Sequence, residues 1–358
     1  MKIAYILPSL ANRGPIIFTQ YLLSELTNYG FDIEIFYFDE GKQPSLNFNV
    51  KTTKLSYKKK FDFSKFDIVH TTMARPDIYA SKYVPKEKWI CSMHNYLIED
   101  MLMLYSKIKA FGIIYLWKRA IKKCNYIITS SNQMTEYYKK ILGKEKYYSM
   151  IPYGIYEKPY ASIEKDDVPI LENLKNQNYK IIGSVGLLIP RKGFEQLFSI
   201  LEKYENTAVV IIGEGVERER LEKMIIEKKL SDRFFLLGFK NNSHNYYQYF
   251  DIYAHVSYSE GFGLAMLEAM SKKLPIICSN LPIYQDYFSE DDVALFEPGN
   301  SASLINAFDI IISNMEKYKK ASYELFINKF SAEVMGKKHI DLYKFIESKN
   351  INSNTTMF

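Results

Sequence analysis

Short apolar runs of strand length recur at residues 181–186, 208–213, 234–238, 252–257, 276–279 and 293–296, separated by helix-length stretches such as 194–204, 217–228 and 264–271. Runs that are apolar throughout, rather than alternating, belong to strands covered on both faces. Strand and helix in regular alternation then point to a parallel sheet wound with helices on both sides. An earlier series has the same rhythm, at 2–7, 31–38, 67–72, 89–94 and 126–130. Its first two runs are joined by a helix that opens at Gly14-Pro15 and stops at Gly30. Proline suits a first helical position because its missing N–H would have no partner there, and glycine suits the end. Two series predict an α/β chain of two Rossmann-like domains, residues 1–165 and 166–331, with the polar stretch 158–177 as the linker. Such domains bind ligands outside the C-terminal strand ends, so a cleft between them is expected. Residues 332–348 return to helical spacing through Met335, Ile340, Tyr343 and Phe345, and the polar tail 350–358 is expected to fray.

Composition narrows the function classes. The chain's 358 residues are 47% hydrophobic and 25% charged, which suits two globular cores rather than disorder. Cys91, Cys124 and Cys278 are few and far apart, with no C-x-x-C spacing, so a reducing cytoplasm is the expected compartment. No apolar run has the length of a membrane span. Residues 1–165 carry 25 Lys and Arg against 15 Asp and Glu, whereas the remainder carries 22 against 26. The basic half implies an anionic partner there. With no recognised nucleic-acid module, nucleic acid is not the expected one.

The stretch 253–270, YAHVSYSEGFGLAMLEAM, carries the densest chemistry. It reads as a buried strand, a loop with Gly261 and Gly263, and a helix starting near Leu264. Free N–H groups and the dipole at such a helix start attract phosphate. Glu260 lies in the loop and Glu268 in the second helical turn. In the first βα turn, PSLANRGP offers only Gly14, not the G-x-G-x-x-G of a dinucleotide site, which disfavours hydride transfer.

Four stretches of the second half together resemble glycosyltransferase family 4, retaining enzymes of the GT-B fold: GSVGLLIPRKGFEQL (183–197), VVIIGEGVERERLE (209–222), FFLLGF (234–239) and SYSEGFGLAMLEAM with LPIICSN (257–280). Glu260 and Glu268 match that family's E-x7-E signature. The first half matches through Gly14 and through His94 at a strand end, and Asn95-Tyr96 with Glu99-Asp100 after it resembles capsule and O-antigen members of the family. The resemblance implies two domains facing across a cleft, with the C-terminal helix crossing back to the first. It implies that Arg191 and Lys192 neutralise the donor diphosphate, that Glu268 binds the ribose and that Glu260 binds the sugar. The amides of Phe262, Gly263 and Leu264 would hold phosphate and sugar, Gly238 and Phe239 would bracket the base, Gly14 would approach the donor, and His94 would act on sugar or acceptor. The implied donor is a nucleotide-diphosphate sugar, UDP first and GDP second, and the acceptor a glycan, on a lipid carrier. Relatives often have two adjacent glycines where this chain has Arg13-Gly14-Pro15, so the donor contact at Gly14 departs from the pattern.

There is no Asp-x-Asp, H-x-H or H-E-x-x-H, so no catalytic metal and no cofactor beyond the substrate nucleotide are expected. Residues 101–123 read as one amphipathic helix. Met103, Ala110, Ile113, Ile114, Trp117 and Ile121 make one stripe, and Lys107, Lys118, Arg119 and Lys122 lie opposite, interleaved with Phe111 and Tyr115. This is either a core helix with a solvated basic face or a dock for an anionic inner-membrane surface. A sugar-nucleotide epimerase and a non-catalytic glycan-binding subunit are the alternative functions. The Glu260/Glu268 spacing argues against the first, and the full set with Arg191 and Lys192 against the second.

Overall fold

The computed structural model describes residues 1–39 and 45–355, with side chains to 350, so the last part of the tail expected to fray, 356–358, lies outside the described residues. The chain forms two units, residues 1–156 with 329–358, and residues 157–328.

In unit 1 the elements run β1 (Lys2–Ser9), α1 (Gly14–Asn28), β2 (Asp32–Asp39), β3 (Lys51–Lys54), β4 (Ile68–Thr72), α2 (Ala74–Tyr83), β5 (Trp89–Ser92), α3 (Leu97–Leu104), α4 (Lys107–Ile121), β6 (Tyr126–Thr129), α5 (Asn132–Leu142) and β7 (Tyr147–Met150). The strands pair in parallel in the order β3-β2-β1-β4-β5-β6-β7. Ile3, Ala4, Ile6, Ile68 and Val69 are fully buried, as strands covered on both faces require. The order reverses between β1 and β4, so the loops leaving these two strands diverge and open a crevice at their C-terminal ends. Beneath it the buried Asp77 ties three elements together: Thr71 Oγ1 of β4 donates to its Oδ1 at 2.5 Å, and Trp117 Nε1 of α4 donates to its Oδ2 at 2.6 Å.

In unit 2 the elements are α6 (Val168–Asn176), β8 (Lys180–Val185), α7 (Phe198–Lys203), β9 (Thr207–Ile212), α8 (Arg218–Glu227), β10 (Phe234–Leu236), β11 (Ile252–His255), α9 (Leu264–Ser271), β12 (Ile276–Ser279), β13 (Ala294–Phe296), α10 (Ser301–Ser313) and α11 (Met315–Leu325). Its parallel sheet has the order β10-β9-β8-β11-β12-β13, which reverses between β8 and β11. The core gathers Leu197, Ile200 and Leu201 with Val209, Ile211, Ile277 and Phe308.

Four sequence expectations change. The stretch 158–177 is not a bare linker: α6 occupies part of it, and Leu171 and Leu174, one helical step apart, are buried under a polar outer face. Residues 157–165, assigned by sequence to the first domain, and 329–331, assigned to the second, sit with the opposite units. The helix read at 194–204 begins as a 3-10 turn, Phe194–Leu197, and becomes α-helical only at Phe198. The single helix at 101–123 is two, α3 and α4, broken at Tyr105–Ser106.

The last helix, α12 (Ala332–Thr355), belongs to unit 1 and packs along α1. Met335, Ile340 and Tyr343 are its buried stripe, while Phe345 is 40% exposed. The Tyr343 hydroxyl bonds that of Tyr5 and lies 2.7 Å from His70 Nδ1, and His70 Nε2 is 2.7 Å from Ser92 Oγ. One polar chain thus joins α12 to β1, β4 and β5 in a setting where an unmade hydrogen bond would be costly.

Candidate functional site

The reversal point of unit 2 brings the loop after β8 against the loop after β11. Arg191 and Lys192 sit on a 3-10 turn, Pro190–Lys192, that follows β8. Glu260 sits between β11 and α9, buried to 8% exposure. Lys192 Nζ is 2.5 Å from Glu260 Oε1, and Arg191 Nη1 is 3.2 Å from Oε2. Ser257 Oγ donates to Oε1 at 2.6 Å, and Arg191 Nη1 also donates to the Ser259 carbonyl at 2.6 Å. Burial alone would push the Glu260 carboxyl up, but the neighbouring Lys192 and Arg191 charges outweigh it and hold it down to about 2.

Backbone geometry locks the two loops together. The Tyr258 N–H donates to the Arg191 carbonyl at 2.8 Å. Gly193, at φ 64°, brings its backbone so close that a Cβ there would stand 2.4 Å from the Val256 carbonyl oxygen. Gln196 Nε2 donates to that same carbonyl at 2.6 Å, and its Oε1 accepts from the Gly299 N–H at 2.7 Å.

Gly263, at φ 95°, is the N-cap of α9, and a Cβ there would press on His255 and the Tyr284 hydroxyl. The Tyr284 hydroxyl donates to the Phe262 carbonyl at 2.7 Å, so its oxygen is left to accept from His255 Nε2, 2.8 Å away. That fixes the proton of the neutral ring on Nε2. Burial pushes the His255 pKa down to about 4. The Phe262 ring is buried beside Tyr284 and Tyr287, which anchors the loop and sets the direction of the first amides of α9. These amides, at Gly263 and Leu264, open the helix with no side-chain cap.

Glu268, in the second turn of α9, is partly exposed. Burial raises its carboxyl above the ordinary range, against the pull of the Lys158 charge and of Tyr247, whose hydroxyl lies 3.2 Å from Oε2. Gly238 follows β10, where its carbonyl accepts from the Gly213 N–H at 2.9 Å, and Phe239 beside it is 62% exposed. Arg191, Lys192 and Glu260 therefore form one cluster in direct contact. Gly263, Leu264 and Glu268 belong to the helix rising from it, and Gly238 and Phe239 stand at the same sheet end, just beyond the edge strand β10.

The remaining two predicted residues lie in unit 1. Gly14 is the first residue of α1, where a Cβ would meet nothing within 4 Å. His94 lies in the loop two residues beyond β5 rather than on the strand, and is 6% exposed. Its Nδ1 bonds the Tyr153 hydroxyl and its Nε2 has no partner. Burial pushes its pKa down to about 3, so it is a neutral hydrogen-bonding group at pH 7 rather than a cation. It lines a cavity of about 1030 Å³ at the reversal point of this unit, together with Arg13, Arg75, Asn95, Asp100 and Trp117.

Sequence reasoning missed Ser257, His255, Gln196 and Tyr284, which hold the acidic loop. Ser257 stands three residues before Glu260 and was visible in the motif. His255 stands five residues before it in the same stretch, whereas Gln196 and Tyr284 act across the fold and carry no local signal. Among the described residues no group of three or more His, Cys, Asp or Glu is placed to hold a metal ion.

Residues 170–325 match the family described as Glycosyl transferases group 1. The chain is 28% identical, over 96% of its length and 98% of the other's, to an Escherichia coli protein named O-antigen biosynthesis glycosyltransferase WclY. It is also 28% identical, over 78% of its length and 80% of the other's, to the Escherichia coli UDP-Gal:alpha-D-GlcNAc-diphosphoundecaprenol alpha-1,3-galactosyltransferase. Among solved structures, Anabaena Alr3699/HepE in complex with UDP and glucose superposes with a TM-score of 0.75 at 15% identity, covering 96% of this chain and 99% of that one. The fold is the one expected, GT-B.

Proposed function

We propose, from the match of residues 170–325 to the family described as Glycosyl transferases group 1, that the chain moves a sugar, with retention and without a metal, from a nucleotide-diphosphate sugar to a glycan acceptor of surface-polysaccharide synthesis. The observation that carries this reading is the contact of Arg191 and Lys192 with Glu260 at the reversal point of unit 2, beside the start of α9. Cleaving the bond between sugar and diphosphate puts charge on the diphosphate. Two cations already fixed in place stabilise that charge without reorganising. Glu260 holds both cations in register, and an arriving diphosphate shares them with it while the carboxylate accepts sugar hydroxyls. The α9 amides supply further donors, and Glu268 accepts from the ribose. UDP is the favoured nucleotide, as in the name of the galactosyltransferase relative and in the HepE complex. Phe239 is an exposed ring on which a base can stack.

The acceptor is proposed to enter the unit 1 cavity beside His94, carried on a lipid as the diphosphoundecaprenol in that relative's name suggests. Docking on an anionic cytoplasmic membrane surface belongs to the same proposal. Of the predicted stripe, Ala110, Ile114, Trp117 and Ile121 are buried, Ile113 is half-buried and Met103, on α3, is exposed, while the outward face of α4 shows Ile108, Phe111, Tyr115 and Leu116 at 54–90% exposure. Lys107, Lys109 and Arg119 are exposed among them. Among the described residues no helix is long and apolar enough to cross a membrane.

The test is turnover with a panel of nucleotide sugars. Lys192→Ala and Glu268→Gln should each lower the transfer rate by about 10²–10³ while the fold persists, and activity should survive a chelator. Near-normal turnover in both variants removes the site assignment. Flotation with vesicles that does not depend on anionic lipid removes the docking reading.

A further inference from the structure

Glu268 stands apart from the cluster of Arg191, Lys192 and Glu260, and the groups that act on it come from outside the E-x7-E stretch. Its Oε2 lies 3.2 Å from the Tyr247 hydroxyl, while among the described residues no protein donor meets its Oε1. Tyr247 belongs to the 3-10 segment Ser243–Tyr249 that leads into β11. Its side chain is 1% exposed and packs against Phe250 and Tyr253, each with its ring centroid 5.8 Å away. A ring so enclosed holds its hydroxyl in one place.

That hydroxyl has one proton and two acceptors within reach, Glu268 Oε2 and the Ala265 carbonyl at 2.9 Å. The carbonyl lies in the first turn of α9, where the N–H of Ala269 is its ordinary helical partner. The carboxylate has no other protein donor among the described residues, and an ionised acceptor makes the stronger bond. The proton therefore goes to Glu268 whenever that group is charged. Burial pushes the Tyr247 hydroxyl well above its ordinary value, so it remains a donor.

A carboxylate turns about its last bond with only a broad, two-fold preference. Donation to Oε2 removes that freedom and leaves Oε1 and the second lone pair of Oε2 for a ligand. Two adjacent hydroxyls match the two oxygens of a carboxylate fixed in this way. From this we infer that Tyr247 is a positioning residue: it sets the Glu268 carboxylate at the rotation that accepts from both hydroxyls of a nucleotide's ribose, and so favours ribo- over deoxyribonucleotides. The inference rests on the transferase reading, in which Glu268 accepts from the ribose. Among the described residues Lys158 is the cation that acts on Glu268, with Lys272 and the half-buried His244 beyond it and the phenols of Tyr160 and Tyr253 nearby. Tyr247 and Lys158 both favour the ionised carboxyl, and burial opposes them.

The experiment is calorimetric titration of the full-length protein with UDP and with GDP. Whichever binds is compared with its 2′-deoxy form on wild type, Tyr247→Phe, Glu268→Gln and the double variant. Wild type should prefer the ribonucleotide by about 10-fold or more, as expected for a hydrogen bond to a charged group. Tyr247→Phe keeps the buried ring and loses only the hydroxyl. It should weaken the ribonucleotide about 5-fold, leave the deoxy form nearly unchanged, and add nothing once residue 268 is glutamine. The pH below which ribonucleotide affinity falls should also rise in Tyr247→Phe, because protonation of Glu268 then meets less opposition; the ligand's own titration is common to both proteins. Equal losses for the two ligands, additive losses in the double variant, or an acid limb that does not move would each overturn the inference, since Tyr247 would then only pack. A nucleotide bound by wild type with no preference for ribose sinks this inference and spares the transferase reading. Failure of both nucleotides to bind wild type sinks both.

Discussion

Breaking the contact between Lys192 and Glu260 tests whether the proposed site is prebuilt. The Glu260 carboxyl falls from an ordinary 4.5 to about 2 on folding, which corresponds to ~3 kcal/mol of stability at neutral pH. Because the folded value is the lower one, this contribution is complete above about pH 4.5 and disappears as pH falls towards 2. Lys192 at 2.5 Å is the nearer cation and Arg191 at 3.2 Å the more exposed, so Lys192 should account for the larger part. A double-mutant cycle of Lys192→Met and Glu260→Gln should therefore give a coupling of roughly 2 kcal/mol at pH 7, with each single variant destabilised because it strands a buried partner. Urea unfolding followed by a unit 2 probe supplies the free energies, and repeating the cycle at pH 3 should shrink the coupling. A coupling below about 0.5 kcal/mol, of the size found for solvated surface pairs, or one unchanged at pH 3, would refute the view that the site is held by a buried, charged Glu260.

Other perturbations have equally definite outcomes. Gly193→Ala must enter a left-handed position with its Cβ against the Val256 carbonyl, so it should cost on the order of 2 kcal/mol and lower the melting temperature. Burial pushes the Asp77 carboxyl up from 3.8 to about 6. Its share of stability is therefore present at pH 4 and declines as pH rises through 6, and a urea midpoint series on wild type against Asp77→Asn should show that slope only in the wild type. Tyr343→Phe removes the hydroxyl shared by Tyr5 and His70 and should destabilise unit 1 by about 1–3 kcal/mol, measured as a shift in urea midpoint, with UDP affinity unaffected.

Much of this was legible in the sequence because the informative features were local. Apolar runs reported buried parallel strands, and the Glu260/Glu268 spacing with its glycines reported a strand, loop and helix. What stayed hidden was long-range or masked by composition. α6 looked like a linker because its Lys, Asn and Glu face outnumbers the Leu171 and Leu174 that bury it. α3 and α4 looked like one helix because the apolar periodicity runs through the break at Tyr105–Ser106 without a proline or glycine to mark it. The partners Gln196, Tyr284 and Ser92 are ordinary residues by composition. Their importance comes from the sheet order, which sets distant strand ends side by side. Asp77 is the sharpest case: an aspartate near a helix start reads as a dipole partner, whereas here it is a buried acceptor for Thr71 and Trp117.

The return of the chain's end to unit 1 determines the order in which the molecule can be made. The Ile155 N–H donates to the Phe330 carbonyl at 3.0 Å and the Ala332 N–H to the Ile155 carbonyl at 2.9 Å, so the points where the chain leaves and re-enters unit 1 are clasped together. Residues 157–328 are therefore an insertion with adjoining ends, free to fold as soon as they emerge from the ribosome. Unit 1 must wait for its last helix, because Tyr5 meets Tyr343 only after nearly the whole chain has been synthesised. A nascent chain passes through a stage in which unit 2 is finished while unit 1 still lacks α12.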